Sequence, residues 1–172
     1  LKAQNPEPRG ELNYVNTYTM LVAVVLSAQA TDEGVNRATG ALFEVADTPE
    51  KMVALGEATV RDYIKTIGLY RNKAKNVIKL CRILIDEYDS EVPRTREALE
   101  ALPGVGRKTA NLVVTLGYGK PGICVDVHVH RISNRLGWVR TRHPDETERA
   151  LREILPRRHW IPINETLVRH GQ

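Results

Sequence analysis

Residues 102–110 read LPGVGRKTA. Two glycines two apart, a proline before them and an Arg-Lys pair after them suit a turn that holds an anion. A nucleotide P-loop is excluded. It needs glycine directly before its Lys-Ser/Thr pair and a strand leading in, whereas Arg107 precedes Lys108 and EALEALP reads as helix. The dinucleotide pattern GxGxxG also fails, because Thr109 stands where its third glycine would be. Two readings remain: a bare helix–helix turn, or a turn whose N–H groups at the start of the next helix receive a nucleic-acid phosphate. In either, Pro103 ends the preceding helix, Gly104 takes positive φ, and Gly106 lets another backbone come close.

Lys108 falls in the first turn of the following helix. The helix dipole and the neighbouring Arg107 both disfavour a cation there, and the neutral amine is the nucleophilic form. Such an amine attacks an aldehyde carbon to give a Schiff base. The competing reading is a charged lysine that grips phosphate. Asp126, eighteen residues later, opens the helix of VDVHVHRISNRL. As an N-cap it would accept backbone N–H bonds. As a carboxylate beside the lysine it could activate the nucleophile and stabilise a developing cation. The two roles are compatible.

The elements that must position these groups are helical throughout. The stretch 16–30 has no polar alternation and reads as a fully buried helix, and 31–45 as an amphipathic one. Thr48-Pro49 is a helix start, a hydroxyl cap followed by proline. TVRDYIKTIG (59–68) is expected to stop at Gly68, and 71–88 to form a long helix turning Ala74, Val77, Ile78, Cys81, Ile85 and Tyr88 inward. Thr95 caps a short helix through Leu102. Further helices are expected at about 107–117, 126–136, 145–155 and 163–170. With no hairpin pattern, the fold class is all-α with short connections.

Charge is uneven along the chain. Residues 61–82 hold seven basic side chains against one acid, Asp62. A solvated helix face is the ordinary meaning of such a block. This one, however, brackets the apolar tip Gly68-Leu69-Tyr70, which suits a side chain pushed between stacked bases. The net charge of +4 is compatible with a polyanion partner. The apolar run 20–26 is too short to span a membrane. Cys81 and Cys124 read as small core residues of a reducing compartment.

LPGVGRKTAN followed by VDVHVHR resembles the helix-hairpin-helix (HhH-GPD) DNA glycosylases, and within them the endonuclease III family. LSAQATDEGVNRAT (26–39) and YIKTIGLYRNKAKNVIKLCRIL (63–84) resemble that family's other blocks, in order, so the likeness spans nearly the whole chain. It implies two helical lobes, residues 10–120 as a six-helix lobe carrying the hairpin and residues 1–9 with 121–172 as the second. It implies a base excision repair enzyme, a glycosylase and abasic-site lyase that removes oxidised pyrimidines. Lys108 would be its nucleophile and Asp126 its assisting carboxylate. Gln29 and Leu69 would fill the gap left by a flipped nucleotide. Gly104, Val105, Gly106 and Arg107 would hold DNA, and Ser27 and His128 would line the base pocket. The carbonyls of Glu100, Leu102 and Val105 would seat a monovalent cation. The partner would be double-stranded DNA with a damaged base or abasic site, met by a monomer in the cytoplasm and nucleoid, or in a nucleus, with no membrane involved.

One feature departs from the family. Most members hold a [4Fe–4S] cluster on four cysteines near the C-terminus, and four thiolates are required. Cys81 and Cys124 are too few and stand elsewhere, so this chain alone is expected to bind no cofactor, and a cluster is expected only if a cysteine segment follows residue 172. Two other functions remain in view. A monofunctional thymine or uracil mismatch glycosylase would generally lack a lysine at position 108. A non-catalytic helix-hairpin-helix module would need neither Lys108 nor Asp126.

Overall fold

The computed structural model describes residues 12–171, without the side chains of residues 165 and 168–171. The expected place of residues 1–9 in a second lobe therefore lies outside the described residues. Those described are helical and contain no strand: α1 (Thr17–Ser27), α2 (Asp32–Val45), α3 (Pro49–Tyr63), α4 (Tyr70–Tyr88), α5 (Arg96–Glu100), α6 (Arg107–Tyr118), α7 (Val127–Arg135), α8 (Pro144–Ile154), a 3-10 turn (Arg157–His159) and α9 (Pro162–Gly171). They form two compact units, residues 12–113 and 114–171, divided inside α6.

In the first unit α1 is enclosed, with Tyr18 through Leu26 all buried. Its sequence has no polar stripe to leave in water. Asn16 starts it with a capping box: its side chain accepts the Thr19 N–H at 2.8 Å, and the Thr19 hydroxyl accepts the Asn16 N–H at 3.0 Å. Helix α4 packs on α3 and α1, and the Tyr18 hydroxyl lies 3.1 Å from the Cys81 sulfur. Thr48 caps α3 through the Lys51 N–H at 3.3 Å, with Pro49 at the first position.

The expected end of α3 needs correction. Gly56 takes φ 80°, ψ 160° and kinks the helix, which then closes at Tyr63, with the Ile64 N–H on the Val60 carbonyl. Gly68 is not its cap. It lies in the connection to α4, where the left-handed conformation falls on Leu69 instead. Helix α4 runs as expected, although Ile85 and Tyr88 are half-buried and Lys73 joins the buried face.

The second unit packs Ile123, Val125, Val129, Ile132, Val139, Leu151, Trp160, Ile163 and Leu167 into one core. Its connections are held by side chains. Asn164 donates to the Cys124 carbonyl at 2.9 Å, and the Trp160 indole donates to the Leu155 carbonyl at 2.8 Å. Asn134 bridges to Thr141 from both ends of its amide, and the His130 ring meets the Thr147 hydroxyl at 2.7 Å. These contacts fix α7, the helix that Asp126 opens.

Candidate active site

The hairpin is built by short backbone bonds. Thr95 caps α5 through the Ala98 N–H at 3.3 Å. The Leu102 N–H then bonds the Leu99 carbonyl at 3.0 Å, and the Val105 N–H bonds the Leu102 carbonyl at 3.1 Å. Leu102 and Val105 are buried and anchor the turn from below. Gly104 sits between them at φ 77°, and a Cβ there would come within 3.3 Å of the Val25 Cγ1 and of the Asn76 amide nitrogen. Glycine is needed at 104 for both reasons.

Gly106 is under neither constraint. Its φ is not left-handed, and a Cβ would meet nothing within 4 Å. No described residue approaches a Cβ there, so the backbone expected to come close at Gly106 is not one of the described residues. Helix α6 begins next, with the Ala110 N–H on the Gly106 carbonyl at 2.9 Å. Arg107 is half-buried, and Lys108, its second residue, is exposed.

Lys108 and Asp126 belong to different units, and each is fixed within its own. Asp126 is the N-cap of α7, with φ −101° and ψ −172°. Its Oδ1 accepts the His128 N–H at 3.0 Å and the Val129 N–H at 2.9 Å, which holds the carboxylate in one orientation. The capping role is thus realised. His128 is half-buried, its Nδ1 lying 3.3 Å from an Arg131 guanidinium nitrogen. Ser27 is half-buried, and its hydroxyl donates to the Val24 carbonyl at 2.8 Å, a bond within its own helix.

Gln29 and Leu69 share two unusual properties. Both are exposed, and both hold left-handed backbone without being glycine, at φ 56° and φ 59°. That conformation costs a non-glycine residue about 1–2 kcal/mol. The two loops adjoin, since a Cβ on Gly68 would lie 3.8 Å from the Gln29 carbonyl. Leu69, 58% exposed, caps α4 with no side-chain bond, and its carbonyl accepts the Lys73 N–H at 3.0 Å. The structure therefore brings these two together at one end of the first unit. Two residues escaped the sequence reading. Asn76 walls Gly104, with no sequence signal beyond its place among basic neighbours. Lys73 sat inside a basic block whose other α4 members, Arg71, Lys75, Lys79 and Arg82, are exposed, whereas Lys73 itself is buried.

The described residues do not fit an iron–sulfur cluster. Cys81 and Cys124 are buried in different units, Cys81 against Tyr18 with its thiol pushed up to about 12 by burial. Among the described residues no group of three or more His, Cys, Asp or Glu side chains could hold a metal. A monovalent cation at hairpin carbonyls faces no such obstacle, since the Leu102 carbonyl accepts one hydrogen bond and has two lone pairs.

Residues 22–157 match the family model of the HhH-GPD superfamily base excision DNA repair protein. The chain is 47% identical to endonuclease III of Escherichia coli (strain K12) over all 172 residues, covering 82% of that protein. Its fold is similar to a trapped endonuclease III–DNA covalent intermediate, an estranged-adenine complex. The TM-score is 0.88 at 48% identity, over 92% of this chain and 75% of that one. It is also similar to a thermostable thymine-DNA glycosylase, with TM-score 0.77 at 25% identity, over 91% of this chain and 74% of the other. The chain belongs to the HhH-GPD superfamily of base excision DNA repair proteins.

Proposed function

We propose that this protein is a bifunctional DNA glycosylase and abasic-site lyase of base excision repair that removes oxidised pyrimidines from double-stranded DNA. The observation that carries the reading is an exposed lysine in the first turn of α6, two residues after a hairpin glycine whose Cβ position meets no described residue. A flipped-out nucleotide is the substrate form such a site can reach. The hairpin and the start of α6, at residues 104–107, hold a backbone phosphate. The Lys108 amine attacks the sugar C1′, the bond from C1′ to the base breaks, and the base departs with its electron pair and takes up a proton. Ring opening gives the protonated Schiff base. Loss of a C2′ proton then expels the 3′ phosphate by β-elimination, cutting the strand, and water releases the sugar remnant and regenerates the amine.

Asp126 is proposed to receive the lysine proton and to stabilise the cationic character of the sugar. Gln29 and Leu69 fill the vacated stack, while Ser27 and His128 border the extruded base. The carbonyls of Glu100, Leu102 and Val105 form the seat proposed for a monovalent cation, which would strengthen the grip on phosphate. Residues 10–120 and residues 1–9 with 121–172 are taken as the two lobes. The protein works as a monomer on chromosomal DNA, hence in the cytoplasm and nucleoid, or in a nucleus if the source is eukaryotic. A [4Fe–4S] cluster belongs to this reading only through cysteines beyond the two present here.

The mismatch glycosylase reading draws on the likeness to the thymine-DNA glycosylase, but it leaves Lys108 unused. A binding-only module leaves both Lys108 and Asp126 unused. Borohydride trapping on abasic-site DNA decides among the three. A covalent adduct that vanishes in Lys108→Ala is expected. No adduct with the intact chain, or an undiminished one in the variant, overturns the lyase assignment.

A further inference from the structure

Lys73 is a buried charge that the proposed chemistry does not use. It is 6% exposed, and its Nζ has no hydrogen-bond partner among the described residues. It lies on the face of α4 that also buries Ala74, Val77, Leu80, Cys81 and Leu84. Burial alone acts on its proton affinity, and it holds the ammonium below the ordinary lysine range. No carboxylate offsets that burial, and α1 contributes no charged residue at all. An unpaired buried ammonium is costly, and an apolar side chain of the same length would avoid the cost.

Its position in the fold supplies a use. Val25 of α1 and Asn76 of α4 are level with each other, because each would lie 3.3 Å from a Cβ on Gly104. The loop leaving α1 adjoins the loop entering α4 through Gly68 and the Gln29 carbonyl. The end of α1 and the start of α4 are therefore neighbours. Lys73, one turn nearer the start of α4 than Asn76, lies on the stretch of α4 between these two approaches to α1. The last turn of α1 ends at Ser27 without a basic residue; the Ser27 carbonyl accepts the Ala30 N–H at 3.0 Å and the Val24 carbonyl the Ser27 hydroxyl at 2.8 Å, which leaves the carbonyls of Val25 and Leu26. A helix C-terminus offers unpaired carbonyls and the negative end of its dipole, both of which attract an ammonium. The same end of the unit carries Gln29 and Leu69 in left-handed backbone, and the Lys73 N–H already bonds the Leu69 carbonyl.

We propose that Lys73 is a positioning residue for strand insertion: as Gln29 and Leu69 enter the DNA stack, its ammonium closes onto the carbonyl end of α1 and locks the two loops to one rigid base. This rests on the reading that Gln29 and Leu69 fill the space of a flipped nucleotide. Lys73 touches neither sugar nor base. It supplies a hydrogen bond that exists only in the engaged state, so it favours nucleotide extrusion over the resting enzyme. Approaching phosphates favour the charged form that makes this bond. A lesion already unpaired needs no insertion and gains nothing from Lys73.

The test compares two substrates for the full chain: duplex DNA with a base-paired oxidised pyrimidine, and a single-stranded abasic site trapped with borohydride. Lys73→Met should keep or raise the melting temperature and trap the single-stranded site at the wild-type rate. Its single-turnover excision from duplex should fall by about tenfold, the loss of one charged hydrogen bond. Lys73→Arg should restore most of that loss. On the unmodified protein, the ratio of duplex to single-strand rate should fall as pH rises through the lowered pKa of Lys73, and in Lys73→Met it should stay flat. Duplex excision unchanged in Lys73→Met, equal losses on both substrates, or a flat ratio in the wild type each overturns the proposal. Absence of any wild-type adduct overturns the Lys108 assignment instead, so the two failures are distinct.

Discussion

Asp126 carries a capping duty and a proposed catalytic one, and one substitution can separate them. Its Oδ1 caps α7 by accepting two backbone N–H groups, and an asparagine side chain can accept the same bonds. It cannot receive a proton from an amine or oppose a sugar cation as a charge. Asp126→Asn should therefore keep thermal stability close to wild type while losing most base excision, with DNA affinity retained. Asp126→Ala should lose the activity and also about 1 kcal/mol of stability, the usual worth of an N-cap. Melting curves and single-turnover excision on the two variants provide the readout. Full turnover in Asp126→Asn would leave the residue as a cap and nothing more.

At the scale of the element, the hairpin's two glycines answer to different demands. Gly104 is required by left-handed backbone and by Val25 and Asn76 at 3.3 Å. Gly104→Ala should destabilise the first unit by about 1–3 kcal/mol, through overpacking and an unfavourable φ. Gly106 is required by neither, so Gly106→Ala should leave the melting temperature unchanged yet weaken duplex binding, because only an external group meets its Cβ. Equal behaviour of the two variants would remove this division of labour. The sequence showed the hairpin and the α-helices of the described residues with end errors of a few residues, since caps such as Thr48 and Thr95 act locally. It misplaced the end of α3 because Gly68 looked like a stop, whereas closure came from turn bonds at Ile64 and the left-handed turn fell on Leu69. What surrounds a glycine, like the burial of Lys73 within a run of exposed cations, is decided by neighbours distant in sequence. Lys108, Asp126 and Leu69 stood out by residue type and place and Gln29 only through the family resemblance, whereas the adjoining of the Gln29 and Leu69 loops was not legible.

At the scale of the whole molecule, alkaline pH should be a distinctive weakness. Tyr18 and Cys81 face each other in the core of the first unit, and burial raises both acidities' midpoints, that of Cys81 to about 12. A neutral acid whose folded pKa exceeds its unfolded value contributes stability in full below the unfolded value, near 9 for this thiol. That contribution is lost progressively as pH rises from there towards the folded value. Melting temperature should thus begin to drop above about pH 9, in step with thiol ionisation. In Cys81→Ala, which removes the thiol, the drop should shift to the range of tyrosine alone. An unshifted drop would assign the alkaline loss to other groups. The same burial should protect Cys81 from alkylation at neutral pH while the protein stays folded.

The left-handed backbone at Gln29 and Leu69 has a consequence for engineering. Glycine would relax both positions, so a programme that selects variants for heat resistance alone would accumulate glycine at residues 29 and 69. Such variants would survive boiling better and repair worse if, as proposed, the strained side chains fill the vacated stack. The durability of this protein is bounded by the posture it keeps while waiting for damage.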